Sequence, residues 1–127
     1  LANIMDTHVG YKRNKPGLEN AAELIADLTA RTKKVGLVNK NSRFNTELQM
    51  LVELEFMIQI SGVMVRSALG REESRGDHNR EDYPDKDNSN WLKHTVVTQV
   101  AGEDALNYTE VVSTRWNEKE MGNGSHS

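Results

Sequence analysis

The sequence contains no cysteine and no excess of basic residues. Without cysteine the chain has no disulfide, no thiolate ligand for zinc or an iron–sulfur cluster and no cysteine nucleophile, so any redox chemistry belongs to a bound cofactor. Sixteen Lys and Arg residues stand against nineteen Asp and Glu residues, which gives a net charge of −3. A basic field that would drive nonspecific nucleic-acid binding is therefore absent, and we expect no nucleic-acid partner.

Long uncharged apolar runs are also lacking. Residues 48–69 are the most apolar stretch, but Glu53, Glu55, Gln59 and Arg66 interrupt it, so it fails the criterion of about 18 uncharged residues for a membrane span. We expect a soluble domain without direct membrane insertion. The first residues show neither an initiator Met nor a signal peptide, which favours a piece of a longer chain.

Three helices are predicted, because apolar residues recur at intervals of three and four. They cover residues 1–9, 16–34 and 45–69. The third helix has candidate caps at Asn45 and Thr46. Its apolar residues occupy most sides, which predicts a central helix surrounded by protein. A narrow polar stripe is the exception, and we expect it to form a solvated or interfacial edge: Glu55, Gln59, Gly62 and Arg66.

Residues 71–94 differ sharply in composition, since half of them are charged, five basic and seven acidic. Mixed signs permit ion pairs and Arg forks on carboxylates, so an ordered loop that docks on another surface is favoured over a solvated linker. Residues 95–114 are rich in Val and Thr and predict a hairpin. The predicted fold class is mainly α, a three-helix bundle-like domain over residues 1–121 with a long charged loop and a C-terminal β-hairpin, followed by a flexible tail over 122–127.

Six side chains of the charged loop are plausible metal ligands: His78, His94, Asp77, Asp82, Asp85 and Asp87. The two histidines form no paired-His zinc motif, the loop does not match an EF-hand, and no glycine-rich nucleotide-binding motif is present. An imidazole between Asp77 and Arg80 could act as a general acid or base, but no nucleophile is identified. The residues leave open a small autonomous enzyme that uses His78, and they assign no catalytic, cofactor-binding or metal-binding residue.

The charged loop carries a resemblance to a known family. It reads REESRGDHNREDYP over residues 71–84 and DKDNSNWLKHT over 85–95. This resembles the C-terminal signature of succinate dehydrogenase and fumarate reductase flavoprotein subunits, which commonly reads R-x-E-S-R-G-A-H-x-R-x-D-[YF]-P-x-R-D-D-x-N-W-L-K-H. The sequence departs at Asp77, Lys86 and Asn88, where the family commonly has Ala, Arg and Asp. The resemblance covers about residues 1–116.

The resemblance implies an oxidoreductase that interconverts succinate and fumarate with FAD and passes electrons to a separate iron–sulfur subunit. In that family the FAD-binding and catalytic residues precede this domain, so none is assigned here, and the fragment alone is expected to bind no FAD and to be inactive. The implied partners are the upstream flavin-binding domain of the same chain and the iron–sulfur subunit. The implied location is a peripheral complex on the cytoplasmic side of a bacterial or archaeal membrane, or on the matrix side in mitochondria.

Two alternatives remain beside this interpretation: a stand-alone helical interaction module, or the same domain of a related flavoprotein such as L-aspartate oxidase. Candidate domain-docking residues are Arg71, Glu73, Ser74, Arg75, His78, Arg80 and Trp91. If Arg75 and Arg80 join this domain to the flavin-carrying part, Arg75→Lys should weaken assembly of the full-length protein, because Lys cannot form the bidentate fork. The same change should hardly alter the stability of the isolated fragment.

Overall fold

The computed structural model describes residues 1–41, 43–100 and 103–112. In chain order its elements are α1 Ala2–His8, β1 Lys12–Arg13, α2 Lys15–Thr32, α3 Thr46–Gly70, β2 Asn79–Arg80, α4 Asn88–Trp91, β3 Lys93–Val100 and β4 Glu103–Glu110. The mainly α fold class is confirmed, and each predicted helix is present with ends close to those expected. The predicted tail over 122–127, the domain end near residue 121 and the last two residues of the predicted hairpin lie outside the described residues.

Side chains fix the starts of the two long helices. The Asn14 side chain accepts a hydrogen bond from the Gly17 backbone N–H at 2.9 Å, with Pro16 in the first turn of α2. The Asn45 side chain accepts from the Leu48 N–H at 3.0 Å. Of the two predicted caps for α3, the structure therefore selects Asn45.

The core lies along the seam between α2 and α3, which pack side by side. Its buried apolar residues are Val9, Leu18, Ala21, Ile25, Ile58, Val65 and Ala68. Residues of α1, including Ile4 and Met5, pack against one end of this seam. The core is therefore small and one-sided with respect to α3.

The expectation that α3 is surrounded by protein is wrong for the described chain. Its fully buried residues share one face, Ile58, Ser61, Val65 and Ala68, and large apolar residues such as Met50, Phe56 and Ile60 are exposed. Periodicity showed apolar residues on most sides, but α2 and the hairpin cover only part of the helix. The sequence criterion excluded a membrane span because charged residues interrupt this stretch, but by overall length and mean hydropathy α3 could cross a membrane, and 17% of its most apolar window is buried.

The charged loop is folded rather than irregular throughout. Strand β2 pairs in parallel with β1, with Lys12 opposite Asn79 and Arg13 opposite Arg80. The one-turn helix α4 is capped by Asp87, whose side chain accepts from two backbone N–H groups. The antiparallel hairpin of β3 and β4 starts at Lys93, two residues before the predicted start. The loop thus connects the beginning of the chain with the end of α3 and the hairpin.

Candidate functional site in the charged loop

Glu73 is the centre of an arginine–carboxylate cluster, and its side chain has no exposed surface. Its carboxylate accepts hydrogen bonds from Arg75 Nε at 2.7 Å, from the Arg71 guanidinium at 2.5 and 2.9 Å and from the Asp87 backbone N–H at 2.9 Å. Burial acts to raise the pKa of Glu73, but the hydrogen bonds from Arg75, Asp87 and Arg71 prevail and hold this pKa below its ordinary value. The carboxylate is therefore ionised and shared by two guanidinium groups.

Arg71 extends this cluster to the hairpin. Its guanidinium donates to the backbone carbonyls of Trp91 at 2.5 Å and Lys93 at 3.0 Å. It also lies 5.6 Å from the Trp91 ring, which makes an edge-to-face contact with Tyr108 of β4. The Tyr108 hydroxyl in turn donates to the Gly70 carbonyl at the end of α3. These contacts fix the hairpin against the end of the helix.

Arg80 is 1% exposed and binds the C-terminal end of α3. One guanidinium nitrogen donates to the carbonyls of Ala68 at 2.8 Å, Leu69 at 3.2 Å and Arg71 at 3.0 Å. Because the last carbonyls of a helix lack partners within it, a buried cation at this position satisfies them and complements the helix dipole. The sequence pattern identified Arg80 as a docking residue, and the structure places its whole side chain inside the domain.

Asp82 connects the two long helices through Arg80. Its carboxylate accepts two hydrogen bonds of 2.8 Å from the Arg80 guanidinium and one of 3.0 Å from the Lys15 backbone N–H at the start of α2. The hydrogen bonds from Arg80 lower the pKa of Asp82 to about 2. A carboxylate at a helix N-terminus is also favoured by the helix dipole. We call Arg80, Asp82 and their partners at the two helix ends the helix-end clamp.

Ser74 orders the backbone of the loop. Its hydroxyl oxygen accepts from the Arg80 N–H at 2.8 Å and the hydroxyl donates to the Tyr83 carbonyl at 2.8 Å. Arg75 and His78 pair through two backbone hydrogen bonds across a tight turn, in which Gly76 has φ +57°. A side chain at this φ would be strained, so the turn favours glycine. Asp77 follows Gly76 and is exposed in this turn.

His78 is held as a neutral ring with a defined tautomer. Its Nδ1 lies 2.9 Å from Arg13 Nη1, which can only donate, so the proton resides on Nε2, which donates to the Arg71 carbonyl at 3.2 Å. Burial lowers the pKa of His78, the hydrogen bond to Arg71 opposes this effect, and the positive charges of Arg13, Arg80 and Arg71 lower it further. The ring joins β1 to the charged loop and has no free nitrogen for acid–base catalysis.

We expect acidification to destabilise the isolated chain through His78. The unfolded chain binds this proton near pH 6.5, whereas the folded chain binds it only at lower pH, so the free energy of unfolding decreases as the pH falls through 6.5. The loss should not exceed about 1.4 kcal/mol per pH unit, the limit for one proton. Urea midpoints between pH 7.5 and 5 measure it. His78→Gln should flatten the profile, and a variant whose profile equals that of the unchanged protein would contradict the assignment.

The structure brings the seven predicted docking residues into one continuous network. The groups that these residues contact belong to the same chain. Arg71, Glu73, Arg75 and Arg80 are each bound to groups of the same chain, and Trp91 packs on the hairpin. Sequence reasoning missed four contributors: Arg13, Asp82, Asp87 and Tyr108. Arg13 and Tyr108 are remote in sequence, and no local pattern reveals them. Among the described residues, no three His, Asp or Glu side chains are placed to hold a metal ion.

Comparison with known proteins assigns this arrangement to a family. The family model described as the fumarate reductase flavoprotein C-terminus matches residues 1–122. The chain belongs to this family. The family resemblance of the charged loop is thereby confirmed, and the chain is the C-terminal domain of a flavoprotein of the succinate dehydrogenase and fumarate reductase family.

Relatives within the family are similar over most of this chain. The fumarate reductase flavoprotein subunit of Mycobacterium tuberculosis is 38% identical over 88% of the chain, and the succinate dehydrogenase flavoprotein subunit of Rickettsia bellii is 33% identical over 90%. The FrdA chain of a mutant E. coli quinol fumarate reductase superposes with a TM-score of 0.83 at 32% identity and covers 89% of the chain. The match corresponds to 19% of each curated relative and 20% of that FrdA chain. The chain thus spans about a fifth of the length of these relatives.

Proposed function

We propose that this chain is the C-terminal structural part of a longer flavoprotein that interconverts succinate and fumarate with FAD. The observation that carries the proposal is the family match over residues 1–122 together with the structural match to fumarate reductase. Fumarate reductase and succinate dehydrogenase flavoprotein subunits catalyse the two directions of one reaction, and both are among the relatives.

The described residues do not fit FAD. A dinucleotide is commonly held by a glycine-rich turn at a helix N-terminus, where free backbone N–H groups bind the pyrophosphate. At the start of α2 those groups are bound by Asn14 and Asp82, and at the start of α3 the Leu48 N–H is bound by Asn45. We therefore place the flavin in the region of the longer polypeptide that this match does not cover, and no catalytic step is assigned to this chain.

The role proposed for the domain is to support the flavin-carrying region and a partner iron–sulfur subunit in a peripheral complex at a membrane surface. Solved structures that superpose on the chain include quinol fumarate reductases and a Mycobacterium smegmatis protein named Sdh1, the latter solved with UQ1. Among the seven candidate docking residues, Glu73 and Arg80 expose essentially no surface, whereas Arg75 exposes 26% of its side chain. A docking role therefore falls to the partly exposed members, namely Arg71, Ser74, Arg75, His78 and Trp91.

The proposal predicts that the complete polypeptide binds flavin and is active, and that the 127-residue chain alone does neither. The polypeptide encoded by the complete reading frame that contains this chain should retain visible flavin absorbance through gel filtration and reduce an electron-accepting dye with succinate. The 127-residue chain purified alone should show neither, since its helix ends are occupied by its own side chains. A longer polypeptide without flavin would refute the proposed function, and so would flavin retained by the chain alone.

A further inference from the structure

One face of α3 presents large apolar side chains to solvent. Its members are Met50, Phe56, Met57, Ile60 and Met64, and each is between 48% and 68% exposed. The three methionines are seven residues apart, Ile60 lies between two of them and Phe56 is one turn before it, so the five share a side of the helix. We call this set the methionine face. It is far more apolar than the scattered single residues that ordinary protein surfaces expose.

The methionine face is nearly free of charge. Glu53 is the one charged residue in that sector of the helix between residues 49 and 64, and its carboxylate accepts a hydrogen bond from the Gln49 side-chain amide. Depletion of charge with enrichment in Met and aromatic residues is typical of the central part of protein interfaces. The polar stripe lies on the other side, where Glu55 and Gln59 are exposed and Arg66 pairs with Asp104 of β4. The helix therefore has a polar face and a separate, nearly uncharged apolar face.

A second observation comes from the residue before the cap of α3. Phe44 is 99% exposed and its backbone has φ 53°. A non-glycine residue in this left-handed region is strained, and such strain persists at binding sites where the surroundings impose it. The backbone N–H groups of Val38 and Asn39 donate hydrogen bonds to the Glu47 carboxylate, which holds the neighbouring connector. An aromatic ring held exposed in this way fits an anchor for a protein partner.

A lipid surface does not suit the methionine face. Helices that lie on membranes carry Lys and Arg on the polar side, where they meet anionic headgroups. Here α3 carries three glutamates, Glu47, Glu53 and Glu55, and its single basic residue, Arg66, is bound to Asp104. The charge of the helix therefore favours protein over membrane as the occupant of this face.

The length of the relatives indicates which protein region covers the methionine face. About four-fifths of each relative lies outside the match, on the same polypeptide. A tethered region is present at an effective concentration in the millimolar range, and permanent interfaces are the more apolar ones. We propose that the methionine face is the surface on which the flavin-carrying region of the same polypeptide packs, an inference that rests on the proposed function.

Site-specific photo-cross-linking in the longer polypeptide tests the inference. p-Benzoylphenylalanine replaces Ile60 in one protein and Glu55, on the polar stripe, in the matched control. After irradiation, peptide mapping should join position 60 to the region that precedes this domain in the same polypeptide, with at least about five times the yield found from position 55. Equal yields, or products that lead from position 60 to the iron–sulfur subunit or to a second copy, would overturn the inference.

A paired substitution gives an independent readout. Met57→Gln combined with Ile60→Gln should leave the thermal transition of the isolated chain unchanged, because both side chains are exposed there, and should increase flavin release from the longer polypeptide at least about fivefold. Glu55→Gln is the control and should do neither. Unchanged flavin release in the doubly substituted polypeptide would overturn the inference. A parent polypeptide that never binds flavin would refute the proposed function instead, so the two failures are distinguishable.

Discussion

Arg80→Met should destabilise the isolated chain by about 3–5 kcal/mol, which is close to the whole stability of a small domain. The substitution removes the donor to three carbonyls at the end of α3 and also the ion-pair partner of Asp82. Water cannot easily replace these contacts, because Arg80 is 1% exposed. Lost hydrogen bonds to buried acceptors cost about 1–3 kcal/mol each when no water replaces them. Urea denaturation followed by far-UV circular dichroism measures the effect.

The chain offers a matched control for this measurement. Arg31 also pairs with an aspartate, Asp27, but at 3.7 Å on the surface of α2, where both side chains are mostly exposed. Arg31→Met should change stability by less than about 0.5 kcal/mol. Arg80→Lys should fall between the two, since it keeps the charge but cannot reach three carbonyls and a carboxylate together. Similar small losses for Arg80→Met and Arg31→Met would show that the helix-end clamp does not hold the domain.

Glu73→Gln is the second change for which we expect a large effect, about 3–5 kcal/mol in the isolated chain. The neutral amide leaves Arg71 and Arg75 without the carboxylate that they share, and its NH₂ group faces guanidinium donors in place of an acceptor oxygen. Differential scanning calorimetry should show a lower and less cooperative transition. The matched control is Glu19→Gln, because Glu19 meets Lys15 only at 3.9 Å on the surface.

Arg75→Lys distinguishes the internal cluster from a purely external role of this arginine. The sequence predicted that this change would hardly affect the isolated chain, but Arg75 forms a fork on Glu73 with bonds of 2.7 and 2.9 Å and also donates to Asn88. We now expect a loss of about 1–2 kcal/mol in the isolated chain, because Lys cannot form the fork. If the isolated chain loses no stability while assembly of the longer polypeptide is weakened, Arg75 acts in docking rather than in the internal cluster.

Elements with local signals could be predicted from the sequence. The apolar spacing places α2 and α3 within two residues of their observed ends, and Asn45 was one of the two predicted caps of α3, because both signals act within one helix. The hairpin was also recognisable, although Lys93 and His94 pair as strand residues and were assigned to the loop. Their polar side chains gave no strand signal, and the strand includes them because β4 supplies pairing partners for both residues.

The arrangement of the charged loop could not be predicted, since it depends on contacts between distant segments. Neither the pairing of Arg13 with His78 nor the bond from Lys15 to Asp82 has a local signature, and both join residues more than 60 positions apart. The exposure of the methionine face was missed for a related reason. Periodicity reports which residues of a helix are apolar, whereas exposure depends on how many neighbours surround it.

The helix-end clamp also determines where the chain can vary in length. Arg80 and Asp82 join the start of α2 to the end of α3, so the connector between these helices, within residues 33–45, lies at the opposite end of the pair. The contacts of Arg80 and Asp82 do not depend on that connector. Lengthening it should therefore lower the free energy of unfolding only slightly, by about 0.6 kcal/mol for each doubling of a flexible loop. Insertions and deletions among related sequences are accordingly expected in this connector, and the segment around residues 71–83 should keep a constant length.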